Sequence, residues 1–152
     1  MMFLGTHAFT GVSYTTSSNG IAAQKTSYKN GKKSGVHKKW YSDGTLSFET
    51  NYSSNKLDGI VLSYWENGSK RSEANFVNGK IHGIARQWYQ SGVLFKEMNR
   101  VNGVEEGMQR AWRENGKLYT NYEAKNGRIY GLKRSKLCFE LEDETIQIQT
   151  ND

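Results

Sequence analysis

Three histidines, one cysteine, fifteen carboxylates and twenty-one lysines and arginines are the groups with which this 152-residue chain could do chemistry. His7, His37 and His82 have no metal-ligand spacing with Cys138 or with a carboxylate, so no metal site is expected. Cys138 has no second cysteine for a disulfide or a CxxC site, and in Leu137-Cys138-Phe139 it reads as a small buried or edge residue. No G-x-S-x-G elbow occurs, and the Asn-Gly-Lys turns lack the following helix that a phosphate-binding loop requires. Glu105-Glu106 falls in a turn region, where it solvates the chain rather than acting as an acid and base pair. The expectation is a protein that is not an enzyme and carries no cofactor.

Binding chemistry is better represented. Lys38, Arg86, Arg110 and Arg134 occupy one recurring position, interrupted by Leu62, and Trp40, Tyr64, Trp88 and Trp112 occupy another two residues further on. In an extended strand, residues two apart share a face, so Lys38, Trp40, Tyr64, Arg86, Trp88, Arg110 and Trp112 form a candidate interaction surface. Tryptophan and arginine are frequent anchors of protein interfaces, and bases stack on aromatics between cations in single-strand binders. The same side chains could instead serve as a ladder that covers the sheet. Glu49, Glu73 and Glu97 stand in the intervening strands and would repel a polyanion.

The elements that must position these residues follow from a repeat. Gly11, Gly35, Gly59, Gly83, Gly107 and Gly131 are 24 apart, as are Gly20, Gly44, Gly68, Gly92 and Gly116; Gly31, Gly79, Gly103 and Gly127 keep the same period with Asn55 in the vacant slot. Fifteen of the 16 glycines lie on these three registers. The units are 11–34, 35–58, 59–82, 83–106 and 107–130, with a partial sixth over 131–135. An N-terminal segment (1–10) precedes them and an acidic C-terminal cap or tail (136–152) follows. The first unit has Thr16-Ser17 where the others carry aromatics, as a terminal cap would.

Each unit reads as a β-hairpin. Asn19-Gly20, Asp43-Gly44, Asn67-Gly68, Ser91-Gly92 and Asn115-Gly116 predict two-residue type I′ turns, and Asn30-Gly31, Asn78-Gly79, Asn102-Gly103 and Asn126-Gly127 return the chain to the next unit. The fold class is all-β, an elongated single-layer antiparallel meander of about eleven strands. A two-residue loop at Asp43-Gly44 sets Tyr41 opposite Leu46, Lys38 opposite Glu49 and Val36 opposite Asn51. The same register sets Arg86 opposite Glu97, Arg110 opposite Asn121, Trp88 opposite Phe95, Trp112 opposite Tyr119 and Tyr89 opposite Leu94. Residues 1–10 and 138–150 are expected to cover the two ends, with Thr145-Ile146-Gln147-Ile148-Gln149 alternating like an edge strand.

Tyr28-Lys29-Asn30-Gly31-Lys32-Lys33-Ser34-Gly35 followed by Trp40-Tyr41-Ser42-Asp43-Gly44-Thr45-Leu46, and Phe76-Val77-Asn78-Gly79-Lys80-Ile81-His82-Gly83 followed by Trp88-Tyr89-Gln90-Ser91-Gly92-Val93-Leu94, resemble the bacterial variant of the MORN repeat. That variant occurs in YwqK-family antitoxin proteins, and the resemblance covers about residues 11–135. It implies one sheet of successive hairpins, no cofactor and no active site. The antitoxin resemblance implies a non-catalytic module that binds and neutralises a toxin; MORN proteins more widely imply association with lipid or protein scaffolds. Lys136 and Leu137 stand where aromatics belong in the pattern, which suggests a closing cap.

Charge narrows the partners. Residues 25–136 carry 21 basic and 10 acidic groups, a net +11, whereas residues 137–152 carry −5. The basic body suits an acidic protein, phosphate or an anionic lipid surface. A protein partner, such as a neighbour-encoded toxin, is the leading expectation. Peripheral membrane binding or an envelope-associated structural role is the alternative, and nucleic acid is disfavoured. Residues 1–24 contain no charged group and lack the basic start of a secretory signal. A cytoplasmic location is expected if the sequence is complete, and an extracytoplasmic one if a signal has been removed.

Overall fold

Short runs rich in aromatic and β-branched residues, punctuated by Asn-Gly, favour strands and present no helical apolar stripe. In a computed structural model that describes residues 1–132, every regular element is a strand. They are β1 (Phe3–Leu4), β2 (His7–Ala8), β3 (Gly11–Thr16), β4 (Ala22–Lys29), β5 (Lys32–Trp40), β6 (Leu46–Ser53), β7 (Lys56–Leu57), β8 (Gly59–Tyr64), β9 (Lys70–Val77), β10 (Lys80–Ile81), β11 (Gly83–Trp88), β12 (Leu94–Val101), β13 (Val104–Trp112), β14 (Leu118–Lys125) and β15 (Arg128–Leu132). Eleven of them follow one another in a single antiparallel path from β3 to β15, and the stubs β7 and β10 pair with β6 and β9 to complete a 13-stranded open sheet. Ten steps at the usual strand spacing make it about 48 Å long. The expected all-β meander is the observed fold. Cys138, Arg134, the acidic end and Thr145-Ile146-Gln147-Ile148-Gln149 lie outside the described residues.

The turns correct one expectation. Type I′ geometry needs positive φ at both central residues, and it occurs at the other set of turns: Asn30 and Gly31 have φ of 50° and 74°, Asn78 and Gly79 51° and 80°, Asn102 and Gly103 50° and 83°. At Asp43-Gly44 only the glycine is left-handed, with φ of 88°. Gly44 N–H bonds the Tyr41 carbonyl at 3.0 Å and Tyr41 N–H bonds the Thr45 carbonyl at 2.8 Å, closing a three-residue loop. This is a type I turn followed by a glycine bulge. The Asp43 carboxylate accepts the Thr45 N–H at 2.8 Å, which holds Asp43 in right-handed backbone and keeps its carboxyl below the usual pKa range. Asn19, Asn67 and Asn115 make the same bond to Ile21, Ser69 and Lys117.

The longer loop moves the aromatic rungs but not the charged ones. A one-residue bulge follows it in each hairpin, so Lys38 still faces Glu49, Val36 faces Asn51, Arg86 faces Glu97 and Arg110 faces Asn121. Next to the turn the partners shift by one. Trp40 faces Leu46, Trp88 faces Leu94 and Trp112 faces Leu118, in place of the expected Tyr41–Leu46, Trp88–Phe95 and Trp112–Tyr119 pairs. Tyr89 packs on Phe95, with ring centroids 4.9 Å apart, rather than on Leu94.

Strand alternation gives the sheet two unlike faces. All the buried side chains fall on one: Thr26, His37, Thr50, Ala85, Gln109, Ala111, Tyr122 and Ala124. The other carries Lys38, Glu49, Arg86, Glu97 and Arg110, together with exposed Val12, Ile60 and Ile84. At the N-terminus, β1 and β2 form a separate hairpin whose flanks bond the first returning turn, Met2 N–H to the Gly31 carbonyl and Gly31 N–H to the Phe9 carbonyl, each at 2.7 Å. The segment therefore caps the Asn30-Gly31 corner, and β3 remains the last strand of the ladder.

Candidate functional site

The face that carries most of the sequence-predicted surface residues is an ion-pair ladder. Lys38 Nζ is 3.1 Å from Glu49, Arg86 Nε is 2.9 Å from Glu97, and Arg110 reaches the other oxygen of Glu97 at 3.9 Å. Lys70 Nζ, 2.6 Å from Glu73, also lies 5.3 Å from the ring centre of Trp88. All are partly exposed, so each pair contributes only about 0.2–1 kcal/mol. Lys38, Arg86 and Arg110 of the basic column that the sequence singles out are thus engaged by carboxylates of their own sheet.

The aromatic positions have a second use that the columns did not reveal. Tyr41 Oη donates to the Tyr64 carbonyl at 2.7 Å, Trp65 Nε1 to the Trp88 carbonyl at 3.1 Å, and Tyr89 Oη to the Trp112 carbonyl at 3.0 Å. Tyr41, Trp65 and Tyr89, each beside a hairpin turn, therefore fasten their repeats to the next. Burial pushes the Tyr89 phenol above its ordinary pKa, which keeps it a donor. Asn19 and Asn67 add amide bonds to the Ser42 and Gln90 carbonyls. Asp43, at the same position, has no N–H to offer.

The opposite face has a continuous row in which Gln24, Lys39, Phe48, Ser63, Ser72, Gln87, Lys96, Ala111 and Thr120 stand directly across from one another, strand by strand. In its middle the Ser63 and Ser72 hydroxyls bond each other at 2.6 Å. This small rung sits between Phe48 on one side and Gln87 on the other, and it leaves a groove of about 500 Å³ lined by the aromatics Phe48, Trp65, Tyr89 and Phe95 and by Trp88, whose ring meets Lys70 of the ladder face. All five aromatics are half-buried. Arg71 lies 4.6 Å over the Trp65 ring, Lys96 4.6 Å over Phe95 and Lys39 6.0 Å over Phe48. No carboxylate lines the groove, and these three cations make no ion pair among the described residues.

Of the seven sequence-predicted surface residues, Trp88 alone lines this groove. The signal for the rest was present as a break in a column: serine at positions 63 and 72, where neighbouring units carry lysine, phenylalanine or glutamine. Its meaning depends on which strands adjoin.

Two titratable groups on the groove face have structural work. His37 is 3% exposed, its Nδ1 is 2.8 Å from the Thr26 hydroxyl, and Phe48 and Tyr52 meet its ring edge-on. Burial, reinforced by Lys33 and Lys39, lowers its pKa. Tyr122 donates to Glu105 at 2.9 Å while Arg100 approaches the other carboxylate oxygen at 3.5 Å; burial and that carboxylate push the phenol up to about 12. The Thr26 hydroxyl beside His37 is itself buried, out of reach of a substrate, and no group of three or more potential metal ligands occurs among the described residues.

Three consecutive stretches, residues 33–54, 57–78 and 81–102, match the MORN repeat variant. Their 24-residue offsets coincide with the hairpin units. MORN repeats are generally protein- or membrane-binding modules and are not a known enzyme family. No curated protein matches the chain.

Proposed function

We propose that the chain is a non-catalytic module that binds a protein partner through the groove face of its sheet. The observation that carries this reading is the segregation of charge. Glu49, Glu73 and Glu97 neutralise cations on the ladder face, whereas the groove is lined by half-buried aromatics and Arg71 with no carboxylate, and Lys39 and Lys96 stand over its Phe48 and Phe95 rings. Half-exposed aromatics beside arginine are the side chains that most often anchor protein interfaces. A sheet built from nearest-neighbour hairpins can hold such a surface rigid without a large core. Neutralisation of a toxin, which the YwqK resemblance implies, is one form of this activity: the partner would be masked rather than modified.

The test places a photo-cross-linking amino acid at Gln24, on the groove face directly across from Lys39 and outside the groove itself, or at Asn51 on the ladder face. A partner protein should be captured from position 24 and not from position 51; the reverse pattern overturns the reading. For the toxin form, co-expression with a toxic neighbouring gene product should restore growth, and unchanged toxicity rejects it.

A second reading rests on a different feature. Ile60, Val77, Ile84, Val101 and Val104 are exposed near the returning turns, and Val77 stands directly across from Lys80. Aliphatic side chains beside lysines suit an anionic membrane surface. Flotation with anionic but not neutral vesicles, lost in the Ile60→Ser, Ile84→Ser double variant, is the result it requires.

A further inference from the structure

We infer that the groove takes an extended acidic segment of a partner protein, about seven residues long, with carboxylates near both ends and an apolar side chain between them. This rests on the protein-binding reading above and specifies its ligand. Lys39 and Lys96 belong to the same cross-strand row, five strand steps apart, or about 24 Å, a span that about seven extended residues cover. Arg71 stands beside Trp65 on the wall between them. The Ser63–Ser72 rung supplies the depth. Where Phe48 fills its position in the preceding repeat, Ser72 leaves the groove open between aromatic side chains, where an apolar side chain of the segment would insert.

The ring faces favour a peptide over a nucleic acid. Base recognition needs open aromatic faces, but Phe48, Trp65 and Phe95 already have cations over them. Carboxylates reach those cations without displacing them, and the hydroxyl and amide groups of Ser63, Ser72 and Gln87 remain for a peptide backbone. A single-stranded oligonucleotide would have to displace the cations first.

The experiment uses the full chain and a fluorescein-labelled peptide with two glutamates at each end and a central phenylalanine flanked by serines. Fluorescence anisotropy should report binding that weakens between about 50 and about 300 mM salt. Replacing the glutamates with lysines should abolish it. Ser72→Phe, which restores the side chain that Phe48 presents one repeat earlier, should weaken binding at least about ten-fold, as should the double variant Lys39→Glu, Lys96→Glu. Lys38→Ser with Arg86→Ser, on the ladder face, should leave it unchanged. Far-UV circular dichroism confirms that each variant is folded.

Equal binding by Ser72→Phe, or by the lysine peptide, overturns the inference. So does tighter binding of a fifteen-nucleotide oligothymidylate, about ten-fold or more, which would assign the groove to single strands. Binding that emerges only on removal of residues 137–152 assigns it to this chain's own acidic end and also overturns a partner as occupant. Capture of a protein at position 24 that is indifferent to Lys39→Glu, Lys96→Glu overturns the acidic segment while the protein-binding reading stands. Failure to capture any protein there, with the peptide still bound, overturns the protein-binding reading while the groove's preference for an acidic segment stands.

Discussion

The phenol of Tyr89 donates a 3.0 Å hydrogen bond to the backbone carbonyl of Trp112, one repeat further along the sheet. Tyr41 and Tyr64 repeat the relationship at 2.7 Å, and Trp65 and Trp88 at 3.1 Å with an indole N–H. These bonds act parallel to the backbone ladder and bind hairpin to hairpin at the turn end. They add side-chain bonds to the backbone pairing that already joins neighbouring repeats.

Tyr41→Phe removes one of them and leaves the Tyr64 carbonyl without its side-chain donor. The expected loss is about 0.5–1.5 kcal/mol. Urea unfolding should show a lower midpoint at unchanged slope. An unaltered midpoint would mean that water replaces the phenol at no cost.

Stability should depend on pH through His37. Its folded pKa is depressed by burial, so below the unfolded value of about 6.5 the unfolded chain binds a proton that the folded chain resists. Stability is therefore fully present above about pH 6.5 and is lost as the pH falls through the lower folded value. Urea midpoints at pH 7.5 and pH 5 should differ in the parent and differ less in His37→Gln; an equal difference in both would assign the titration to other groups.

The same glycine substitution should have different consequences at two turns. At Gly68, with φ of 83°, an added Cβ meets nothing within 4 Å, so alanine costs only the left-handed strain, about 1 kcal/mol. At Gly31, with φ of 74°, the Cβ would lie 2.8 Å from the Met2 carbonyl oxygen and 2.5 Å from the Met1 side chain. Gly31→Ala should lower the melting temperature more than Gly68→Ala and speed limited proteolysis within residues 1–10. Equal effects would show that the N-terminal cap yields without cost.

Glu97 serves two arginines, Arg86 at 2.9 Å and Arg110 at 3.9 Å. Because both pairs are partly exposed, Glu97→Gln should cost less than about 1 kcal/mol. The cost should shrink in high salt, where the pairs are already screened. Measuring the midpoint difference in low and high salt separates this screened attraction from a packing loss, which salt would not reduce.

Much of the fold was legible in the residues because the interactions that build it are local. Lys38 faces Glu49, and Arg86 faces Glu97, as the hairpin spacing predicts. The turn type was not legible: Asp43-Gly44 and Asn30-Gly31 look alike as dipeptides. The difference lies in the Thr45 N–H that the Asp43 carboxylate accepts and in the bulge that absorbs the extra loop residue. For the same reason Trp88 faces Leu94 rather than Phe95.

The binding surface was the least legible part. Lys38, Arg86 and Arg110 stand out as a column, yet their carboxylate partners occupy the same face, so the column's charge is largely spent within the sheet. The groove depends on Phe48, Ser63, Ser72 and Gln87, which come from three repeats and adjoin only when β6, β8, β9 and β11 are placed side by side. By itself the amino-acid order determined a 24-residue hairpin, its strand pairing and its charged rungs, because turn chemistry and pleat alternation act over a few residues. Only the tertiary structure decided which turns are left-handed at both positions, which aromatics bridge repeats, and where a pair of serines opens the sheet. The turn geometry is set within each hairpin by the side-chain bond and the bulge, whereas the aromatic bridges and the groove arise from contacts between neighbouring repeats, which no single hairpin contains.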